Sequence, residues 1–228
     1  MRRYLPIFAG YAVVELSAEI FRDSYPLVHF FTKPLLMILL FGFLYQITQK
    51  KRTKTDKLLL LSLVFSWFGD LFLLFKSDLY FLLGLGSFLV AHILYIVVFQ
   101  RGASLKKGSY AIFTLFLLIL YGFGLMYLVF PSIRGPLKIP VAVYASTILM
   151  MVWVMTLRRG RVASGAFGIG LVGAILFMFS DSLIAISSFT KIPIPYPHVA
   201  IMGLYLVGQY CLVESYVRER DLAVRDNH

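Results

Sequence analysis

One cysteine, Cys211, stands in 228 residues, so no intrachain disulfide can form and no paired-thiol zinc motif is present. Charge is scarce as well, at 14% Asp, Glu, Lys and Arg against 60% hydrophobic residues. A water-soluble domain of this size is nearer half apolar and a quarter charged. Acidic residues are scarcest, 11 against 22 Lys and Arg, leaving a net charge of +11. That surplus does not indicate nucleic acid, because the basic residues fall between apolar runs and form no patch within a polar segment. No G-x-S-x-G elbow occurs. The four histidines, His29, His92, His198 and His228, include no pair spaced for one helix face. Gly84, Gly86, Gly122, Gly124, Gly165, Gly168, Gly170 and Gly173 lie within apolar runs, which excludes a phosphate-cradling loop and predicts close helix packing.

What remains is long, non-alternating hydrophobic runs, with a mean hydropathy of +0.83. Lipid is the natural solvent for such surface. Backbone groups in lipid must pair internally, and runs without alternation select helices over a barrel. The segments are Tyr4–Phe21, Pro26–Thr48, Lys57–Phe75, Leu79–Phe99, Ser109–Phe130, Ile139–Leu157, Ser164–Ser187 and His198–Val217. The expected fold is therefore an all-α polytopic bundle of about eight transmembrane helices, one domain over residues 1–228. The first run follows Arg2 and Arg3 and carries Glu15 and Glu19 without a small-residue cleavage site, so it reads as a helix rather than a signal peptide. Pro193, Pro195 and Pro197 stiffen the last connection.

Orientation follows from the loops. With both termini inside, sixteen Lys and Arg fall inside, in the 2–3, 50–57, 101–107, 158–161 and 218–225 segments. Five fall outside: Arg22, Lys76, Arg134, Lys138 and Lys191. This asymmetry predicts N-in and C-in, and the compact chain suggests a bacterial inner membrane with the polar site toward the outer side. Helix three (Phe65–Leu71) also echoes helix seven (Phe177–Leu183), with a small residue before an aspartate in each. A parallel 4 + 4 repeat would place Asp70 and Asp181 in equivalent positions.

Ionisable residues inside spans are functional candidates because burial in hydrocarbon is costly. They are Glu15, Glu19, His29, Lys33, Asp70, His92, Asp181 and His198, of which Glu19 and His198, with Arg22 and Asp23, fall near the outer interface and are expected to be solvated. Asp70 and Asp181 lie roughly 8–9 Å below the expected outer ends of their helices, at 1.5 Å per residue. Lys33 is expected at a similar depth, and Glu15 in the same half. Two uses fit this layer. One is a structural ion pair, such as Lys33 with Asp70. The other is a polar pocket in which one carboxylic acid keeps its proton beside an ionised neighbour. Two aspartates in matching local sequence favour the second, and Pro34 next to Lys33 loosens the backbone as cavity-lining segments often do. His92 and Tyr95 share a helix face, as do Tyr205 and Gln209. Each could equally serve as interhelical glue.

These pieces resemble the YhhN family of membrane proteins, which includes the lysoplasmalogenases. The resemblance is carried by Thr32-Lys33-Pro34-Leu35-Leu36, Ser66–Leu74, Gly84–Tyr95, Phe179–Ala185 with Ser180 and Asp181, and Tyr205 with Gln209. It implies a hydrolase that cleaves the vinyl ether of choline or ethanolamine lysoplasmalogens to a fatty aldehyde and a glycerophospho-alcohol, with no cofactor. Asp70 and Asp181 would then be the catalytic pair. Lys33, His92, Tyr95, Tyr205, Gln209, Ser180 and Glu15 would contact or orient substrate. The partners implied are a lysophospholipid and the bilayer, with no nucleic acid. Two other classes fit the same residues: a proton-coupled transporter or lipid-binding protein, and a metal-dependent lipid hydrolase built on converging histidines.

Overall fold

The computed structural model describes residues 4–22, 24–104 and 108–225, the side chains of Pro26, His29 and 223–225 excepted. Arg2, Arg3, Asp23, Lys106, Lys107 and His228, and the side chains of His29 and Arg225, therefore lie outside the described residues.

Among the described residues the chain forms eight α-helices and no strand. They are α1 (Leu5–Ile20), α2 (Pro26–Thr48), α3 (Lys54–Phe72), α4 (Asp78–Phe99), α5 (Ser109–Val129), α6 (Lys138–Thr156), α7 (Ser164–Phe189) and α8 (Pro197–Arg225). Six of them, all but α1 and α3, contain stretches long and apolar enough to cross a membrane. The 16 residues of α1 make it short, and α3 carries Lys54, Asp56, Lys57 and Asp70.

Local chemistry sets several ends. Prolines stand in the first turns of α1 and α2, where the missing N–H costs nothing. Thr53 and Asp56 cap α3 reciprocally, which starts the helix three residues before the apolar run does. Ser77 caps α4 through the Tyr80 N–H. The largest departure from the expected boundaries is α8, which runs on past Val217 to Arg225. Its polar final turns are held by partners on α3 and on the loop after α6. Tyr216 donates to Asp56 at 2.8 Å, Arg220 pairs with Asp56 at 3.1 Å, and Glu219 pairs with the buried Arg158.

The closest helix pairs are α3 with α4 and α7 with α8. Around them α2 packs on α3, α6 on α4 and α7, and α1 on α2 and α8, while α5 touches only the α6–α7 side closely. Four of the eight predicted packing glycines serve that purpose. At Gly173 a Cβ would come within 2.9 Å of the α8 backbone, and Gly84, Gly122 and Gly170 are comparably tight against Leu73, Leu149 and Ser215. Gly86, Gly124 and Gly168 correct that expectation, because open space lies where their Cβ would be, and Gly165 has only Arg218 at 3.5 Å. Both the core (Leu36, Leu40, Leu59, Phe99, Phe177) and the surface (Leu27, Phe31, Phe116, Phe123, Tyr127) are apolar. Hydrophobicity alone therefore does not tell inside from outside in this bundle.

Candidate active site

The loops after α1, α3, α5 and α7 gather at one end of the bundle. There a cavity of about 800 Å³ opens among α1, α2, α4, α7 and α8 and the loop after α3. Its wall carries Glu19, Arg22, Lys33, Lys76, Asp78 and His198 beside Phe30, Phe75, Phe81 and Phe189. It is a funnel with charged groups of both signs over an apolar lining.

Beneath the funnel lie the two aspartates. Asp70 is 2% exposed and accepts a hydrogen bond from Tyr205 at 2.8 Å. Asp181 is 9% exposed and accepts one from Tyr144 at 2.7 Å. The two carboxyls are within electrostatic reach of each other. Their expected equal depth needs correcting against the helix ends, since Asp70 is two residues from the last residue of α3 and Asp181 eight from that of α7. The charged Lys54–Lys57 turn is part of α3, and that shifts the whole helix along the chain. Proximity is restored by tertiary packing.

His92 joins the pair. Its Nδ1 must donate to the Phe88 carbonyl, 2.6 Å away, because a carbonyl only accepts. The remaining Nε2 is buried, has no hydrogen-bond partner, and faces Asp181 Oδ2 at 3.8 Å. With Nδ1 protonated, this approach is favourable only when a proton sits on Asp181 or on Nε2. Phe177, fully buried, stacks edge-on between His92 at 4.6 Å and Tyr205 at 5.3 Å, so an aromatic wall joins the two carboxyl positions.

The remaining predicted residues take distinct places. Lys33 is half-buried on the funnel wall and lies within electrostatic reach of Asp70, Glu15 and Glu19. Glu15 is fully buried on α1, where Tyr11 donates to the Thr32 carbonyl of α2, and Glu19, expected to be solvated, is buried as well and pairs with Arg22 at 3.5 Å. Tyr95 and Gln209 are both wholly buried and line none of the cavities described. Tyr95 donates to Gln209, whose amide donates to Ser66 at 3.0 Å and whose side chain also meets Tyr205. The network therefore runs behind Asp70 and holds its phenol partner in place. Ser180 donates to the Ile201 carbonyl at 2.9 Å and so ties α7 to α8.

Sequence reasoning missed Tyr144, the sole tyrosine of α6, because no spacing links it to an ionisable residue in the chain. It also missed Tyr121, which donates to Ser182 at 2.7 Å beside Asp181. Two small apolar pockets, about 40 Å³ each, meet at Asp181 and Tyr144. One continues from the funnel between α4, α6 and α7, and the other is a crease among α5, α6 and α7. No group of three or more His, Cys, Asp or Glu side chains converges on a possible metal position among the described residues. The arrangement is a pair of carboxyls, each held by a phenol, one of them open to apolar space.

The YhhN family profile matches residues 28–216. Lysoplasmalogenase TMEM86A of Bos taurus is 30% identical over 197 residues, covering 82% of this chain and 74% of that protein. Human lysoplasmalogenases TMEM86B and TMEM86A are each 32% identical, covering 69% and 70% of this chain. The chain spans 62% and 65% of those two relatives' own lengths. No solved structure matches it.

Proposed function

We propose that this chain, which belongs to the YhhN family, is an integral multi-pass membrane hydrolase that cleaves the vinyl ether bond of lysoplasmalogens. The observation that carries the reading is the unequal pair of aspartates, Asp181 bordering apolar space and Asp70 enclosed beside Tyr205 with Lys33 in reach.

A vinyl ether is inert to base and labile to acid. Its slow step is proton transfer to the alkene carbon remote from oxygen, which leaves an oxocarbenium ion. Water adds to that cation, and the hemiacetal collapses to an aldehyde and an alcohol. The enzyme needs a protonated acid touching the alkene and a negative charge nearby. Asp181 is the acid in this reading, because its carboxyl reaches the space an alkenyl chain can enter. Tyr144 fixes its rotamer, and His92 Nε2 favours the protonated form by its placement. Asp70 is the charged partner. Lys33 offsets the Asp70 charge in the resting enzyme, and the field of the Asp70 carboxylate stabilises the cation as it forms. Water delivers one proton to restore Asp181 and its oxygen to the aldehyde carbon, so the sum is vinyl ether plus water to aldehyde plus alcohol. Lys33 and the other cations of the funnel suit the lipid phosphate, and the funnel carboxylates suit a choline or ethanolamine cation.

The eight helices act as one transmembrane domain, with both termini inside and the funnel facing outward. Support comes from the funnel opening on the end poor in Lys and Arg. Further support for a repeat is crosswise pairing: Asp70 of α3 meets Tyr205 of α8, and Asp181 of α7 meets His92 of α4.

The test is aldehyde release from a defined choline lysoplasmalogen by purified protein, beside Asp70→Asn and Asp181→Asn. Release by the wild type and loss in both folded variants is the expected result. No release from choline or ethanolamine substrates by folded wild type would overturn the hydrolase reading and bring proton-coupled transport forward.

A further inference from the structure

We infer that the crease among α5, α6 and α7 is the subsite for the alkenyl chain, and that chain and aldehyde product pass through it sideways into the bilayer. The inference rests on the hydrolase reading and adds where each end of the substrate lies.

Three spaces follow one another in the fold. The charged funnel shares Leu73, Phe81, Ile184 and Phe189 with the first apolar pocket. That pocket shares Val141, Tyr144, Asp181 and Ala185 with the crease. Polarity therefore falls along the path, from charged to apolar, with the Asp181 carboxyl at the junction of the last two spaces. A lysoplasmalogen has the same order: phosphate head, glycerol, vinyl ether, hydrocarbon. If the alkene lies at Asp181 and the head in the funnel, the hydrocarbon must continue beyond Asp181. The crease occupies that position.

At about 40 Å³ the crease holds only the first methylenes of a chain, so the rest must leave the protein. The structure allows this on the α5 side. The α5 span is the least buried of the six, with Phe113, Phe116, Phe123 and Tyr127 facing outward. Its polar tie to α7 is the Tyr121–Ser182 hydrogen bond at the crease. Hydrocarbon moving through this seam exchanges one apolar surrounding for another at little cost. The two products then part by solubility: the aldehyde enters lipid through the crease, and the glycerophospho-alcohol leaves by the funnel.

The experiment has two readouts. The first is photolabelling of the wild type by a non-hydrolysable alkyl ether lysophosphocholine with a diazirine near the ether end of its chain. Label on Leu125, Met126 or Leu149 is expected. Label confined to the funnel or to α4 would overturn the inference. The second compares kcat/KM for a hexadecenyl and a butenyl substrate. Filling the crease by Ala145→Phe, or by Leu149→Trp if the first variant does not fold, should lower the long-to-short ratio about tenfold or more. An unchanged ratio in a folded variant would overturn it. If the wild type releases no aldehyde at all, the hydrolase reading falls, and the labelling still decides whether the crease takes a lipid chain.

Discussion

Two sets of acids in this bundle meet different partners. At the Lys50–Lys57 end, each is met by arginine. Asp56 is fully buried and pairs with Arg220 and Tyr216, Glu219 pairs with the buried Arg158, and Glu214 pairs with Arg218 at 2.6 Å. Beneath the funnel, Asp70 and Asp181 are met by phenols, and Asp181 also by one imidazole. Arginine holds its proton at all accessible pH values, so an arginine-paired acid is a fixed brace. A phenol and an imidazole leave the carboxyl free to gain or lose a proton. The difference separates acids that hold helices together from acids placed to react.

Breaking the contrast should give opposite signatures. Asp181→Asn keeps a carbonyl for the Tyr144 hydroxyl and removes only the transferable proton. Aldehyde release should fall on the order of 10³-fold, with the melting temperature nearly unchanged. Asp56→Asn should do the reverse. It leaves Arg220 without its buried counter-charge and should cost about 3 kcal/mol in a detergent unfolding titration, while turnover per folded molecule holds. Activity lost from Asp56→Asn with stability intact would collapse the distinction.

Smaller effects sharpen it. Tyr144→Phe removes one hydrogen bond to Asp181 and should cost about tenfold in kcat, near 1.4 kcal/mol. The pH profile should be bell-shaped if the pair works as described. Activity falls as pH rises because the acid loses its proton, and falls as pH drops because the charged partner gains one. Any residual activity of Asp70→Asn should lack the acidic limb, and survival of that limb would move the charged role to another group. Last, Arg158 lies 4.8 Å from the Phe99 ring centre as well as on Glu219. Arg158→Lys keeps the charge and loses the stacking, so about 1 kcal/mol of stability and no activity should go with it.

Much of the bundle was legible in the chain because lipid forces it. Long apolar runs must be helices, and basic residues between them mark the ends, so eight elements could be counted, with limits within a few residues of those observed except at the end of α8. Where the reading failed, polar residues were hidden by partners from elsewhere. The last turns of α8 look like a solvated tail until Asp56 and Arg158 are seen against them. Asp70, Asp181, Lys33 and His92 stood out because ionisable groups are costly in hydrocarbon wherever they occur. Tyr144, Tyr121 and Ser66 did not, because hydroxyls are common in spans and carry no such penalty.

The sequence by itself determined the solvent, the helices and the candidates for chemistry, since each depends on the transfer cost of a residue or a run. The tertiary structure alone decided which phenol meets which aspartate, that Tyr95 and Gln209 stand behind the site, and that Asp181 rather than Asp70 borders the apolar pockets. Those outcomes depend on how helices rotate and approach, and in a bundle apolar on every face no pattern along one helix records which side looks inward.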